Sequence, residues 1–296
     1  MIRQAGAGDA AQVEAFLARY PDTSMFLRGN LAAHGIDGPD HDPARRHDHA
    51  TDYFLWPAEG AIRAAFGCST RGFLMVQCPG NDPAAFAAAA QALAGRQVQG
   101  LTGDVRQARS WLVALGLSGR LKVDHVEPLY ALDLAAMPQA ALDWRRPDRN
   151  DLPLLADWFL GYEADTGTGG AGRSDAAAIA RDRATKTIAA GQCQLLLEGG
   201  TPVAMAALNA RVDRIVQVGG VYVPPQGRNR GLGRRVVQAL LMQARAEGAD
   251  RAVLFSNNDA ASRAYEAIGF TRIGDYLVAL TDGLVTLGDV PQGVPA

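Results

Sequence analysis

Val221-Tyr222-Val223-Pro224-Pro225-Gln226-Gly227-Arg228-Asn229-Arg230-Gly231-Leu232-Gly233-Arg234-Arg235 passes from an apolar strand through a glycine-punctuated turn into a basic helix. The first turn of an α-helix has backbone N–H groups without intrahelical partners and sits at the positive end of the helix dipole, so this stretch has the makings of an anion cradle. Gly231 and Gly233 permit positive φ and a close approach of backbone to ligand. Arg228, Arg230, Arg234 and Arg235 add charge around the same turn, in a chain whose formal net charge is only -2. Basicity this local suits a small polyanion better than a long nucleic acid.

Spacing narrows the choice of polyanion. A Walker loop needs Gly-Lys followed by Ser or Thr, whereas Gly233 is followed by Arg234 and Arg235. A dinucleotide fingerprint needs a third glycine where Val236 stands. What remains is Arg-x-x-Gly-x-Gly, from Arg228 to Gly233, after a strand ending in Tyr-Val-Pro-Pro. This pattern resembles the acyl-CoA pyrophosphate loop of the GNAT N-acetyltransferase superfamily.

The sequence downstream repeats the resemblance independently. Leu232, Val236, Val237, Leu240, Leu241 and Ala244 recur at helical spacing, with Gly248 placed to end the helix. Arg251 to Phe255 reads as a short buried strand, and Asn257 to Phe270 as a second helix with an Asn or Asp start and a glycine stop. The superfamily pattern of Asn, a small residue, then Tyr-Glu-x-x-Gly-Phe is present in Asn258, Tyr265, Glu266, Gly269 and Phe270.

The resemblance covers residues 142–280, about half the chain. Trp144 to Asp148 reads as a first strand, followed by an amphipathic helix through Leu152, Leu155, Trp158 and Phe159. Gln192 to Glu198 and Pro202 to Ala210 read as a hairpin turning at Gly199-Gly200, and Arg214 to Val223 as the strand beside the cofactor. The order β-α-α-β-β-β-α-β-α-β-β implies an α+β fold, a mixed and mostly antiparallel sheet flanked by helices. The first half shows a similar order: a helix from Ala10 to Tyr20, a hairpin-like region from Tyr53 to Gln77, helices at Ala84 to Leu93 and Val105 to Leu115, and strands at Val98 to Thr102 and near His125 to Leu134. Where the phosphate loop should be, it has Cys78-Pro79-Gly80-Asn81-Asp82-Pro83. The expected organisation is two tandem domains: a degenerate GNAT-like domain over 1–135 without a cofactor loop, a catalytic GNAT domain over 142–280, and a tail over 281–296.

A chain of 296 residues is long enough for two ordinary domains. No apolar run approaches the ~20 residues needed to span a bilayer, and the N-terminus lacks a basic segment followed by an apolar one, which points to a cytoplasmic protein without a membrane partner. Cys68, Cys78 and Cys193 are scattered and odd in number, so they read as buried thiols rather than disulfides or a metal knuckle.

The resemblance implies a chemistry, residue by residue. Main-chain N–H groups of Val221, Tyr222 and Val223 would flank the acyl thioester and stabilise its oxyanion. Asn229, Arg230, Gly231, Leu232 and Gly233 would present amides to the pyrophosphate, with Arg228 and Arg234 adding charge, and Asn258 would hydrogen-bond the pantetheine arm. Tyr265 would be the general acid that protonates the departing CoA thiolate, since a phenol with a pKa near ~10 holds its proton at neutral pH. Acetyl-CoA is the implied co-substrate, with no metal. The acceptor would be a small-molecule or peptide amine, and a homodimer is admissible.

The general base stays open: many relatives place a carboxylate on the strand before Val221, where this chain has Gln217, while Glu163 and Asp165 are either base candidates or solvated surface charges. His34, His41, His47 and His49, interleaved with Asp37, Asp40, Asp42 and Asp48, have zinc-binding composition but read as a solvated loop. Gly167 to Gly172 reads as a mobile acceptor-side loop or an ordinary surface one. Two other classes remain: a non-catalytic acyl-CoA sensor or scaffold, and an interaction module docking nucleic acid through the arginines.

Overall fold

The computed structural model describes residues 1–36, 46–166 and 175–288. Contacts divide the chain into two compact units, Met1–Val126 with Asp275–Ala296, and Glu127–Gly274.

In the first unit the chain runs β1 (Arg3–Gln4), α1 (Ala10–Leu17), α2 (Met25–His34), β2 (Thr51–Trp56), β3 (Ala64–Ser69), β4 (Phe73–Gln77), α3 (Pro83–Ala92), β5 (Gln97–Asp104) and α4 (Val105–Ala114). The first four strands form an antiparallel meander, and β4 runs parallel to β5 because α3 carries the crossover. Alternation along the strands sends Phe54, Phe66 and Leu74 to one face, under Phe86 of α3 and Trp111 of α4. Tyr53, Leu55 and Met75 go to the other, under Val13, Phe16 and Leu27. Helix α2 is absent from the sequence expectation, which assigned His34 to a loop; the residue instead ends this helix. Gly29 and Asn30 weaken its helical propensity, and it is held by tertiary contacts, notably Arg28, whose almost fully buried guanidinium pairs with Glu14 at 2.6 Å.

β6 (Leu121–Asp133) leads into the second unit, followed by β7 (Trp144–Arg145), α5 (Leu152–Thr166), α6 (Ala176–Ala190), β8 (Cys193–Glu198), β9 (Thr201–Val212), β10 (Ile215–Tyr222), α7 (Leu232–Ala246), β11 (Arg251–Phe255), α8 (Asp259–Glu266) and β12 (Thr271–Thr286). β7 to β10 are antiparallel neighbours, β10 is parallel to β11, and β11 pairs antiparallel with β6. The β8–β9 hairpin turns at Gly199-Gly200, both at positive φ. The stripe Leu232, Val236, Val237, Leu240, Leu241 and Ala244 is buried as its spacing predicts, against Val216, Val218, Ala252 and Leu254. Leu155, Trp158 and Phe159 of α5 and Ala180 and Ala184 of α6 cover the opposite face. Leu240, 2% exposed, has no room to be replaced by water; Leu240→Ala is expected to cost about 2–5 kcal/mol in a denaturant titration.

The C-terminal expectation is corrected. Two strands and a tail from Thr281 were expected, but β12 is one strand reaching Thr286. Tyr276↔Asp104 through Leu280↔Gly100 pair it with β5, and after a register shift Val285↔Val98 pairs again. The register slips at the start of the expected tail, between Leu280 and Val285, where Gly283 takes φ 79°. The units therefore part at 126/127 and 274/275, whereas the small-residue stretch 135–141 was the expected boundary. The first unit's sheet is completed by residues 275–286, and the second unit's by residues 127–133.

Candidate active site

β10 cannot continue as a regular strand into α7. Its pairing with β9 slips between Gln217 and Val218 and again between Gly219 and Tyr222, and Pro224-Pro225 then stops the ladder with a single 3-10 turn, Pro225–Gly227. Asn229 and Gly231 take positive φ, 62° and 72°, to swing the chain into α7. The first helical bond is Arg235 N–H to the Gly231 carbonyl, at 3.2 Å. Among the described residues the amides of Asn229, Arg230, Gly231, Leu232, Gly233 and Arg234 therefore donate to no backbone carbonyl. The turn is an open row of donors at the positive end of a 15-residue helix.

The surrounding charge is less free than the sequence suggests. Glu198 accepts from Arg230 at 2.8 Å and from Arg235 at 2.9 Å, and these arginines hold its carboxyl below the usual range, Arg235 first. Arg228 pairs with Asp165 at 2.5 Å and donates to the Val223 carbonyl at 3.1 Å. Arg234 is exposed and makes no ion pair among the described residues. The expected loop charge thus splits between an uncommitted Arg234 and arginines that a polyanion would have to share with Glu198 and Asp165.

Beside the turn the sheet opens. β10 and β11 pair only at Ile215, Val216 and Gln217, so Val218 to Tyr222 have left β11. The amide of Val223 makes no hydrogen bond among the described residues. Gly220, at φ 56°, makes the bulge, and Gly219 lies so close to the Asn209 side chain that a Cβ would stand 2.1 Å from its amide nitrogen. Gln217, fully buried at the last pairing position, has no partner for either atom of its amide. Tyr222 packs against α5, where Gly161 leaves room for its hydroxyl.

Tyr265, on α8, is 7% exposed and packs edge-on against Phe270 at 6.0 Å. Its hydroxyl makes no hydrogen bond among the described residues and is not a sealed atom. Burial raises its pKa, with the charges of Tyr162 and Glu127 adding to the effect, so the phenol keeps its proton. Asn258 is engaged in the fold: its Oδ1 accepts from the Ala261 amide at 2.8 Å, capping α8, and its Nδ2 donates to Asn257 at 2.8 Å. The base candidates are also tied, Asp165 to Arg228 and Glu163 to Arg183 at 3.7 Å.

The structure adds residues the sequence reading missed. Tyr162 of α5 lies near the Gly220 amide and Arg183, and burial raises its pKa. Arg183 of α6 stands over the rings of Phe159 and Tyr162, at 4.5 and 5.1 Å. Glu127, at the start of the second unit, shares this neighbourhood; burial pushes its carboxyl above the ordinary carboxylate value. No motif marks these positions, and the sequence boundary had put Glu127 in the other domain.

The first unit builds its parallel crossover differently. Asp82 accepts from the Ala84 amide at 2.9 Å, Trp56 donates to the same carboxylate, and Pro83 has no N–H to offer. A carboxylate thus occupies the start of α3. Residues 37–45, with Asp37, His41, Asp40 and Asp42, and 167–174, with the Gly167 to Gly172 loop, lie outside the described residues, as do 289–296. Among the described residues His34 stacks on His47 at 4.4 Å, and no group of His, Cys, Asp and Glu is arranged to hold a metal ion. No helix among them is long and apolar enough to cross a membrane.

Known proteins share this architecture. A GCN5-related N-acetyltransferase from Sphaerobacter thermophilus is 15% identical, covers 95% of this chain and 95% of its own, and superposes with a TM-score of 0.58. A GCN5-related N-acetyltransferase from Kribbella flavida, 19% identical, covers 90% of this chain and 96% of its own at 0.54. A Drosophila protein, 12% identical, covers 95% and 98% at 0.62. Identities this low show the fold, and the coverage extends it over both units. No curated protein matches the chain in sequence. The family model described as Acetyltransferase (GNAT) family matches residues 159–270, the stretch that holds the open amides, the parted strands and Tyr265. Those residues form an acetyltransferase domain of the GNAT family, whose co-substrate is acetyl-CoA.

Proposed function

We propose that the protein transfers an acetyl group from acetyl-CoA directly to an amine held beside it, in a ternary complex. The observation that carries this is the row of unpartnered amides from Asn229 to Arg234 at the mouth of α7, next to strands that have parted. They fit a diphosphate: Asn229, Arg230, Gly231, Leu232 and Gly233 bind it through the main chain, with Arg228 and Arg234 beside them. Val221, Tyr222 and Val223 lie past the last β10–β11 pair, and the free Val223 amide is a donor for the thioester carbonyl. Tyr265 gives its proton to the leaving sulfur. Asn258 keeps a second N–H and a second lone pair for the pantetheine arm while it caps α8.

The acceptor in this reading is a small-molecule or peptide amine, met in the cytoplasm. The first unit is a degenerate copy that has lost the cofactor loop, which Asp82 at the start of α3 supports. The test is a thiol-release screen of amines with acetyl-CoA and longer acyl-CoAs, beside calorimetry with acetyl-CoA. Binding with amine-dependent release is expected. Binding without release would make the protein a sensor, and no binding would end the proposal.

A further inference from the structure

Four observations converge on one carboxylate. Tyr130 and Leu132 of β6 join the cluster beneath α7, so the two-residue period of a strand turns Leu129 and Glu127 to the opposite face, the one covered by α5 and α6. The Pro128 carbonyl accepts from the Ser256 amide at 3.1 Å. That bond fixes this end of β6 beside the end of β11, where β10 has already diverged. Tyr162 from α5 and Tyr265 from α8 both feel the Glu127 charge. Unlike Glu163 and Asp165, Glu127 makes no hydrogen bond or ion pair with the described residues.

We infer that Glu127 is the general base of acetyl transfer, a role that rests on the transferase reading above. Its carboxylate accepts one proton from the acceptor ammonium. The freed lone pair forms the C–N bond as the thioester C–S bond breaks, and sulfur leaves with that electron pair and takes the Tyr265 proton. The second proton lost by nitrogen restores the phenol. The products are the amide, the thiol and one proton that Glu127 passes to solvent, with no change of oxidation state. β10 itself offers no carboxylate, since its buried polar side chain is Gln217, an amide that cannot take a proton from an ammonium.

Burial raises the Glu127 pKa, which suits a base working near neutral pH. The titratable groups around it are Tyr162 and Tyr265, with Arg183 over the Tyr162 ring and paired to Glu163; its own strand contributes the exposed His125. Because the carboxylate form is needed, the rate should fall as pH drops through this raised value.

The test is Glu127→Gln in the full chain, with acetyl-CoA and a panel of primary alkylamines, hydroxylamine and water as acceptors. Acetyl-CoA affinity should be unchanged by calorimetry, kcat/KM for alkylamines should fall about 10²-fold or more, and the acid limb set by Glu127 should give way to a rise that follows the alkylamine's own pKa. The loss should shrink for hydroxylamine, which is already neutral at pH 7; a merely structural role would not discriminate. If Glu127→Gln does not fold, Glu127→Asp serves: the acid limb shifts if Glu127 is the base and stays in place if it is not. Wild-type thiol release with Glu127→Gln at full rate and unchanged pH profile overturns this assignment alone. Wild-type protein that binds acetyl-CoA yet releases no thiol to any acceptor overturns the transferase reading with it.

Discussion

A Tyr265→Phe variant is expected to bind acetyl-CoA with wild-type affinity and to turn over about 10²-fold more slowly. The substitution removes one oxygen from a side chain whose ring stays packed on Phe270, so the fold has little reason to respond. What is lost is the proton for the leaving sulfur. Because burial raises the phenol pKa, Tyr265 remains an acid beyond the ordinary value near ~10, and the wild-type rate should show no alkaline limb below that pH that Tyr265→Phe then abolishes. Steady-state thiol release from pH 6 to ~10, with calorimetry on both proteins, decides the matter; an unchanged kcat removes Tyr265 from the mechanism.

The second large effect concerns binding. Gly231→Asp would place a carboxylate against the open amides of α7, as Asp82 stands at the start of α3 in the first unit. Aspartate favours helix starts and tolerates positive φ better than most residues, so the helix should survive at φ 72°. The carboxylate would take the donors and repel the diphosphate. Losing two charge-assisted bonds of about 1.5–3 kcal/mol each weakens acetyl-CoA at least ~10²-fold, since each 1.4 kcal/mol is about tenfold. Calorimetry reads this directly, and thermal unfolding checks the fold. An unaltered Kd would mean that the coenzyme does not sit at this turn.

Local patterns carried most of the fold. The α7 stripe, the Gly199-Gly200 turn and the Asn258 start of α8 are each written in residues within a few positions of one another, and each stands where its spacing places it. The failures share a cause, which is dependence on distant partners. Helix α2 rests on Arg28 and Glu14, and β12 looks like two strands and a tail until β5 lends it a ladder. The loop was legible as a shape because glycines and prolines dictate backbone locally, but its charge balance was not, since Glu198 and Asp165 arrive from elsewhere in the chain. Glu127 escaped for the same reason: a strand assigned to one half by sequence order serves the sheet of the other.

That exchange sets a rule for how the molecule comes into being. A ribosome delivers residues 1–126 long before residues 275–286, so β5 must wait with an exposed edge, a known invitation to intermolecular pairing, until that later segment emerges. Gene fission at the small-residue stretch 135–141 would strand each fragment without its closing segment, and neither should accumulate as a stable product alone. The two units are thus coupled in synthesis, the first sheet finished only by a segment that the chain supplies from the far side of the second unit.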